Sequence, residues 1–118
     1  MVSMRENRRT SLLIRCSCED AQTVHAEALA QRRSVSGYLL FVLERSMWIE
    51  DKFLAGVSYP KQAHVPAESN RTAIHLRCTV QEAARIRQAA KGRLLSISNF
   101  VVFSLQRNWR AVEKVRNS

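Results

Sequence analysis

Three glycines, two prolines and three cysteines are all that this 118-residue chain holds of those types. So few glycines leave no Gly-rich loop to cradle a phosphate. Three cysteines, an odd count without the spacing of a secreted framework, argue against a disulfide scaffold and for a reducing, cytoplasmic setting. No apolar run approaches the roughly 18 residues of a membrane span. The basic opening Met1-Val2-Ser3-Met4-Arg5-Glu6-Asn7-Arg8-Arg9 is not followed by the apolar core of a signal peptide. Paired carboxylates in a predicted cleft and a nucleophile–base arrangement are also missing, so neither enzyme chemistry nor a cofactor is expected. Acidic charge is the scarce sign. Ten Asp and Glu face nineteen Lys and Arg, a net charge of +9. A solvated surface does not need that excess, which predicts a polyanionic partner: nucleic acid or an acidic membrane.

What is present is a repeat. Ser11-Leu12-Leu13-Ile14-Arg15-Cys16-Ser17 returns as Ala73-Ile74-His75-Leu76-Arg77-Cys78-Thr79, about 62 residues on. The likeness runs without a gap for about 40 residues. Arg9-Thr10 matches Arg71-Thr72, Ser34-Val35-Ser36 matches Ser96-Ile97-Ser98, and Phe41, Leu43 and Arg45 match Phe103, Leu105 and Arg107. A unit of about 45 residues is near the size below which a chain needs a partner, so the copies are expected to fold against each other or against copies in a second chain.

Each copy begins as an alternating strand. Leu12, Ile14 and Cys16 face one way, Ser11, Leu13 and Arg15 the other; Ile74, Leu76 and Cys78 likewise oppose Ala73, His75 and Arg77. Ser17 and Thr79 then read as helix caps with an acidic residue three positions on, Asp20 and Glu82. The first helix of each copy runs to about Gln31 or Lys91 with a thin stripe of Ala21, Val24 and Ala28, or Ala83, Ile86 and Ala90. Ser34 and Ser96 cap the second helices, whose apolar residues spread nearly all round and should form the core. Residues 51–70, with Tyr59-Pro60, Pro66 and Ser69-Asn70, form a linker. Twenty extended residues reach about 60 Å, so both intrachain and interchain pairing of the strands are open.

Strand, helix, helix, with an alternating strand and a Ser-Val-Ser cap on the second helix, resembles the ribbon-helix-helix family of the Arc and methionine repressors. The resemblance covers most of residues 9–50 and 71–115. It implies a mostly α fold: two ribbon-helix-helix units in one chain, with a two-stranded antiparallel ribbon on a four-helix body. The organisation expected is a basic arm at 1–9, repeat 1 at 10–50, the linker at 51–70, and repeat 2 with a short basic tail at 71–118. In the family the ribbon enters the DNA major groove, whose width suits it.

The groove-facing positions implied by the resemblance are Ser11, Leu13 and Arg15, and Ala73, His75 and Arg77. Arg15 and Arg77 suit bidentate bonding to guanine O6 and N7. His75 reads equally as a base contact and as a plain exposed residue, and Leu13 as a thymine-methyl or a protein contact. The two half-ribbons differ, so an intrachain ribbon implies unlike half-sites rather than a palindrome. The family's phosphate-holding helix N-termini fall on Ser34, Val35 and Ser36 and on Ser96, Ile97 and Ser98, supported by Arg9, Arg33, Arg71 and Arg93. Beside the first clamp stand Arg32 and Arg33; the second has Leu94 and Leu95 there.

Cys16, Cys18, Cys78 and the three histidines are not expected to form a metal site, because Cys16 and Cys78 belong to the apolar face and would lie at opposite ends of a ribbon centred on Leu13 and His75. Leu40, Phe41, Trp48, Val102, Phe103 and Trp109 exceed what a small body buries and are expected to include a second interface, for another copy or another protein. The function expected is sequence-specific binding of double-stranded DNA, foremost as a transcriptional repressor of a bacterial, phage or plasmid nucleoid. The rivals are a plasmid-transfer or partition factor and a protein-interaction subunit, either antitoxin-like or part of a nucleoprotein assembly. The short basic end after Asn108 lacks the long toxin-binding tail usual in that family's antitoxins.

Overall fold

In the computed structural model, residues 8–53 and 71–116 are described. The expected basic arm up to residue 7, most of the linker and the last two residues lie outside them. Strand β1 (Arg9–Ser17) is followed by helices α1 (Cys18–Ala30) and α2 (Val35–Phe53); strand β2 (Arg71–Thr79) is followed by α3 (Val80–Gly92) and α4 (Ile97–Arg116). Mostly helical, the chain therefore runs through strand, helix, helix twice. Helix α2 continues three residues past the expected start of the linker.

The strands pair with each other, antiparallel and within the one chain, with Leu13 opposite His75 at the centre, Ser11 opposite Arg77 and Arg15 opposite Ala73. The alternation decides which side is covered. Leu12, Ile14, Cys16, Ile74, Leu76 and Cys78 are all buried, while the intervening side chains from 11 to 15 and from 73 to 77 are exposed. Burying a Leu or Ile side chain contributes about 1.5–3 kcal/mol relative to leaving it in water, so a one-residue slip that inverted the faces would be strongly disfavoured.

Helix starts follow the side-chain chemistry. Thr79 and Glu82 form a reciprocal capping box: Thr79 Oγ1 accepts the Glu82 N–H at 3.1 Å and Glu82 Oε1 accepts the Thr79 N–H at 2.8 Å. In the first copy Ser17 Oγ accepts the Asp20 N–H at 3.0 Å. Asp20 is one methylene shorter than Glu82, and its carboxylate accepts from Gln106 Nε2 on α4 at 3.4 Å. Ser34 and Ser96 cap α2 and α4, accepting the Gly37 and Asn99 N–H groups at 3.0 and 3.1 Å.

The core lies between the covered side of the ribbon and the four helices. Tyr38, Leu39, Val42, Leu43 and Met47 of α2 meet Phe100, Val101, Val102 and Leu105 of α4, and the thin stripes of α1 and α3 close the sides. Ser46 and Ser104 are buried where α2 crosses α4; their hydroxyls bond at 3.3 Å, and the Arg107 guanidinium donates to the Ser46 hydroxyl and carbonyl. Trp109 Nε1 donates to the Tyr38 hydroxyl at 2.8 Å. The residues expected to include a second interface differ in exposure. Val102 is core, only 8% exposed, because it sits on the side of α4 packed within the body. Leu40, Phe103 and Trp109 are half-buried, whereas Phe41 and Trp48 remain exposed on α2.

Both turns between paired helices put a non-glycine residue in the left-handed region. Arg32 has φ 55° and Leu94 has φ 58°, at equivalent places in the two copies. These residues follow the helix caps, and the next amides, of Arg33 and Leu95, reach back to the carbonyls of Ala28 and Ala90. The conformation costs an L-residue about 1–2 kcal/mol, which glycine avoids. Leu94 is also 90% exposed, so no packing offsets it. Leu94→Gly is expected to stabilise the fold by about 0.5–1 kcal/mol, read as a Tm rise of about 3–5 °C.

A second expectation concerns the buried thiols. Burial first, then the charges of Asp20 and Cys18, push the Cys16 thiol up from its ordinary 9.0 to about 11. Burial also raises the Cys78 thiol. The folded protein keeps protons that the unfolded chain releases, so the associated stability is present below pH 9 and is lost as pH rises towards about 11. Urea midpoints should fall across that interval, and Cys16→Val should reduce the fall.

Candidate nucleic-acid interface

The exposed side of the ribbon is small and cationic. Neither strand, Arg9–Ser17 or Arg71–Thr79, contains an acidic residue. The register sets Leu13 beside His75 at the centre and places Arg15 and Arg77 diagonally, two residues to either side. At about 3.4 Å per residue the two arginine levels stand about 14 Å apart along the ribbon. Leu13 is 45% exposed at the middle of this surface. Ser11, Ala73, His75 and both arginines are exposed with it.

Two helix N-termini flank the ribbon, and their electrostatics differ from those of the other pair. Helices α1 and α3 carry acidic residues in the first turn, Glu19 and Asp20 in one and Glu82 in the other. These complement the positive end of the helix dipole. Helices α2 and α4 carry no acidic residue there, so no carboxylate of their own first turn complements their N-terminal positive ends. Val35 and Ile97, the first residues of these helices, pack their side chains against the core, which anchors the backbone at each terminus.

A cleft of about 430 Å³ lies between the α2 N-terminus and the outer edge of β2. It is lined by Arg9, His25, Ser34, Val35, Ser36, Ala73, Ile74, His75 and Arg77, none of them acidic. It gathers four residues expected to contact phosphate (Arg9, Ser34, Val35 and Ser36) with three from the ribbon face. It also adds His25, which the strand and cap patterns did not reveal. The signal available was the repeat itself: His25 aligns with Arg87, a second basic residue on an exposed helix position.

Several other expected clamp residues make contacts with the protein itself. The Arg33 guanidinium lies over the Phe41 ring at 4.3 Å, a cation–π contact at the root of α2. Arg93 is half-buried; its Nη1 donates to the Ala89 carbonyl at 2.8 Å and its guanidinium lies 5.1 Å from the Phe100 ring centre. Arg71 begins β2 opposite Ser17, at the far end of the ribbon from Arg9. Ser36 and Ser98 direct their hydroxyls to the ribbon. Ser36 Oγ accepts the Arg77 N–H at 2.8 Å and donates to the His75 carbonyl at 3.5 Å, while Ser98 Oγ accepts the Arg15 N–H at 2.9 Å.

The cysteines are all free thiols, and Cys16 and Cys78 stand at opposite ends of the register, across from Thr72 and Thr10. Among the described residues, no group of three or more His, Cys, Asp or Glu side chains is arranged to hold a metal ion, and no helix is long and apolar enough to cross a membrane. Compared with known proteins, the chain matches no family model, no curated sequence and no solved structure.

Proposed function

We propose that this chain is a tandem ribbon-helix-helix protein that binds double-stranded DNA sequence-specifically, with its β-ribbon in the major groove. The observation that carries the reading is the acid-free exposed ribbon face between two helix N-termini that lack acidic first turns. A ribbon with a covered apolar side and an exposed side bearing Arg15, His75 and Arg77 has the dimensions and donors for reading base edges. Ser34 to Ser36 and Ser96 to Ser98 would receive the backbone phosphates on either side, joined by Arg9 and Arg71. Because Ser11 and Leu13 of one strand stand where the other has Ala73 and His75, the site would consist of unlike halves.

The mechanism is occupancy, without bond making or breaking. Bound over a promoter, the protein would repress transcription; bound at a plasmid transfer or partition site, it would mark that site by the same contacts. A further role as an assembly subunit is favoured by Trp48, 57% exposed, and Phe41, 37% exposed, on one helix. That role adds a partner to the DNA reading and uses a different surface.

The test is selection from a random duplex library, followed by gel shifts of Arg15→Ala and Arg77→Ala on the selected duplex. Each substitution is expected to weaken specific binding by about 5- to 150-fold, the equivalent of about 1–3 kcal/mol, with a smaller effect on unrelated duplex. The logarithm of the affinity should fall linearly with log salt, by about 0.9 for each phosphate neutralised. If both variants keep wild-type affinity and preference, the ribbon is not the reader.

A further inference from the structure

Serine occurs twice at the head of each second helix, and the two serines do different work. Ser34 and Ser96 hold the helix ends by accepting the Gly37 and Asn99 amides. Ser36 and Ser98 are not needed for that. Each turns away from its own helix and bonds to a ribbon strand belonging to the other repeat. Ser36, from repeat 1, accepts the Arg77 N–H at 2.8 Å and donates to the His75 carbonyl at 3.5 Å. Ser98, from repeat 2, accepts the Arg15 N–H at 2.9 Å. The two Ser–Arg bridges are related by the same offset of about 62 residues that relates the repeats.

The bonded amides are those of the two arginines whose side chains stand on the exposed ribbon face. A hydroxyl has one donor and two acceptor sites, so Ser36 engages the backbone on both sides of Leu76, from the carbonyl of residue 75 to the amide of residue 77. We infer that Ser36 and Ser98 are positioning residues. Each ties the backbone of a reading arginine to the N-terminus of the flanking helix of the opposite repeat, so an anion held at that helix end sets the register of that arginine. This rests on the DNA-binding reading above and deepens it.

The bridges cross between the repeats. The α2 N-terminus, with Arg33 beside it, serves the end of the ribbon where Arg77 faces Ser11; the α4 N-terminus, with Leu94 and Leu95 beside it, serves the end where Arg15 faces Ala73. Each half of the duplex site thus takes its arginine from a strand of one repeat and is framed by a helix of the other. Loss of Ser36 should degrade recognition in the half read by Arg77 and Ser11, and loss of Ser98 in the half read by Arg15.

The experiment uses the full chain and has two arms. In the first, amide hydrogen exchange is measured on the free protein. Ser36→Ala should speed exchange at the Arg77 amide and leave Arg15 unchanged, Ser98→Ala should do the reverse, and Ser36→Thr and Ser98→Thr should keep wild-type protection. In the second, wild type and the four variants each select from a random 30-base-pair duplex library. Each alanine variant should lose about tenfold in discrimination at one half of the selected site only, and each threonine variant should restore the preference. Unchanged protection at both arginine amides overturns the bridge. Altered protection with undiminished discrimination overturns the positioning role and leaves the DNA reading standing. A wild-type protein that selects no sequence overturns both.

Discussion

The structure depends on the edge-to-edge pairing of β1 and β2. Each strand alone would expose a row of backbone donors and acceptors along with three apolar side chains. Together they form one sheet whose apolar side is sealed by helices and whose other side is left to solvent. Two-stranded ribbons are marginal by themselves, so this one is held by what lies under it. Phe100, Tyr38 and their neighbours supply that support, and the helices in turn gain a flat apolar floor. The exposed face inherits its geometry from the buried one, because side chains on a strand alternate.

Charge is distributed with the same division of roles. The first helix of each repeat compensates its own dipole with acidic residues, and the second helix does not. The uncompensated ends are those beside the ribbon. The strands between them hold no acidic residue, in a chain whose net charge is +9. On the DNA-binding proposal, such a surface would draw in a duplex over distance, while phosphate contacts and base contacts would act only at close range and serve different purposes.

Duplication within one chain has a further physical consequence. Two identical units would make a ribbon with two equal halves. Here the halves have diverged at the central pair, Leu13 and His75, and on either side of it, so a single chain presents a directional surface. The divergence reaches the flanks, where Arg32 and Leu94 occupy the same strained backbone position with opposite chemistry. The crossed serine bridges show that the repeats are not two beads on a string, since the helix of one holds the strand of the other.

Much of this was legible in the chain itself. The strict alternation at 12–16 and 74–78, the caps at Ser17, Thr79, Ser34 and Ser96, and the offset between copies determined the elements and the two faces of the strands, because these are local, periodic properties of the backbone. The tertiary structure decided what depends on where separate elements meet. Pairing within the chain was open, since a linker of that length reaches either partner. Val102 became core, Arg93 folded onto Phe100, and His25 joined the cleft with Arg9 and Arg77. The direction of the Ser36 and Ser98 hydroxyls was likewise invisible, because a serine at a helix start has several backbone amides within reach, and only packing across the repeats selects which one it meets.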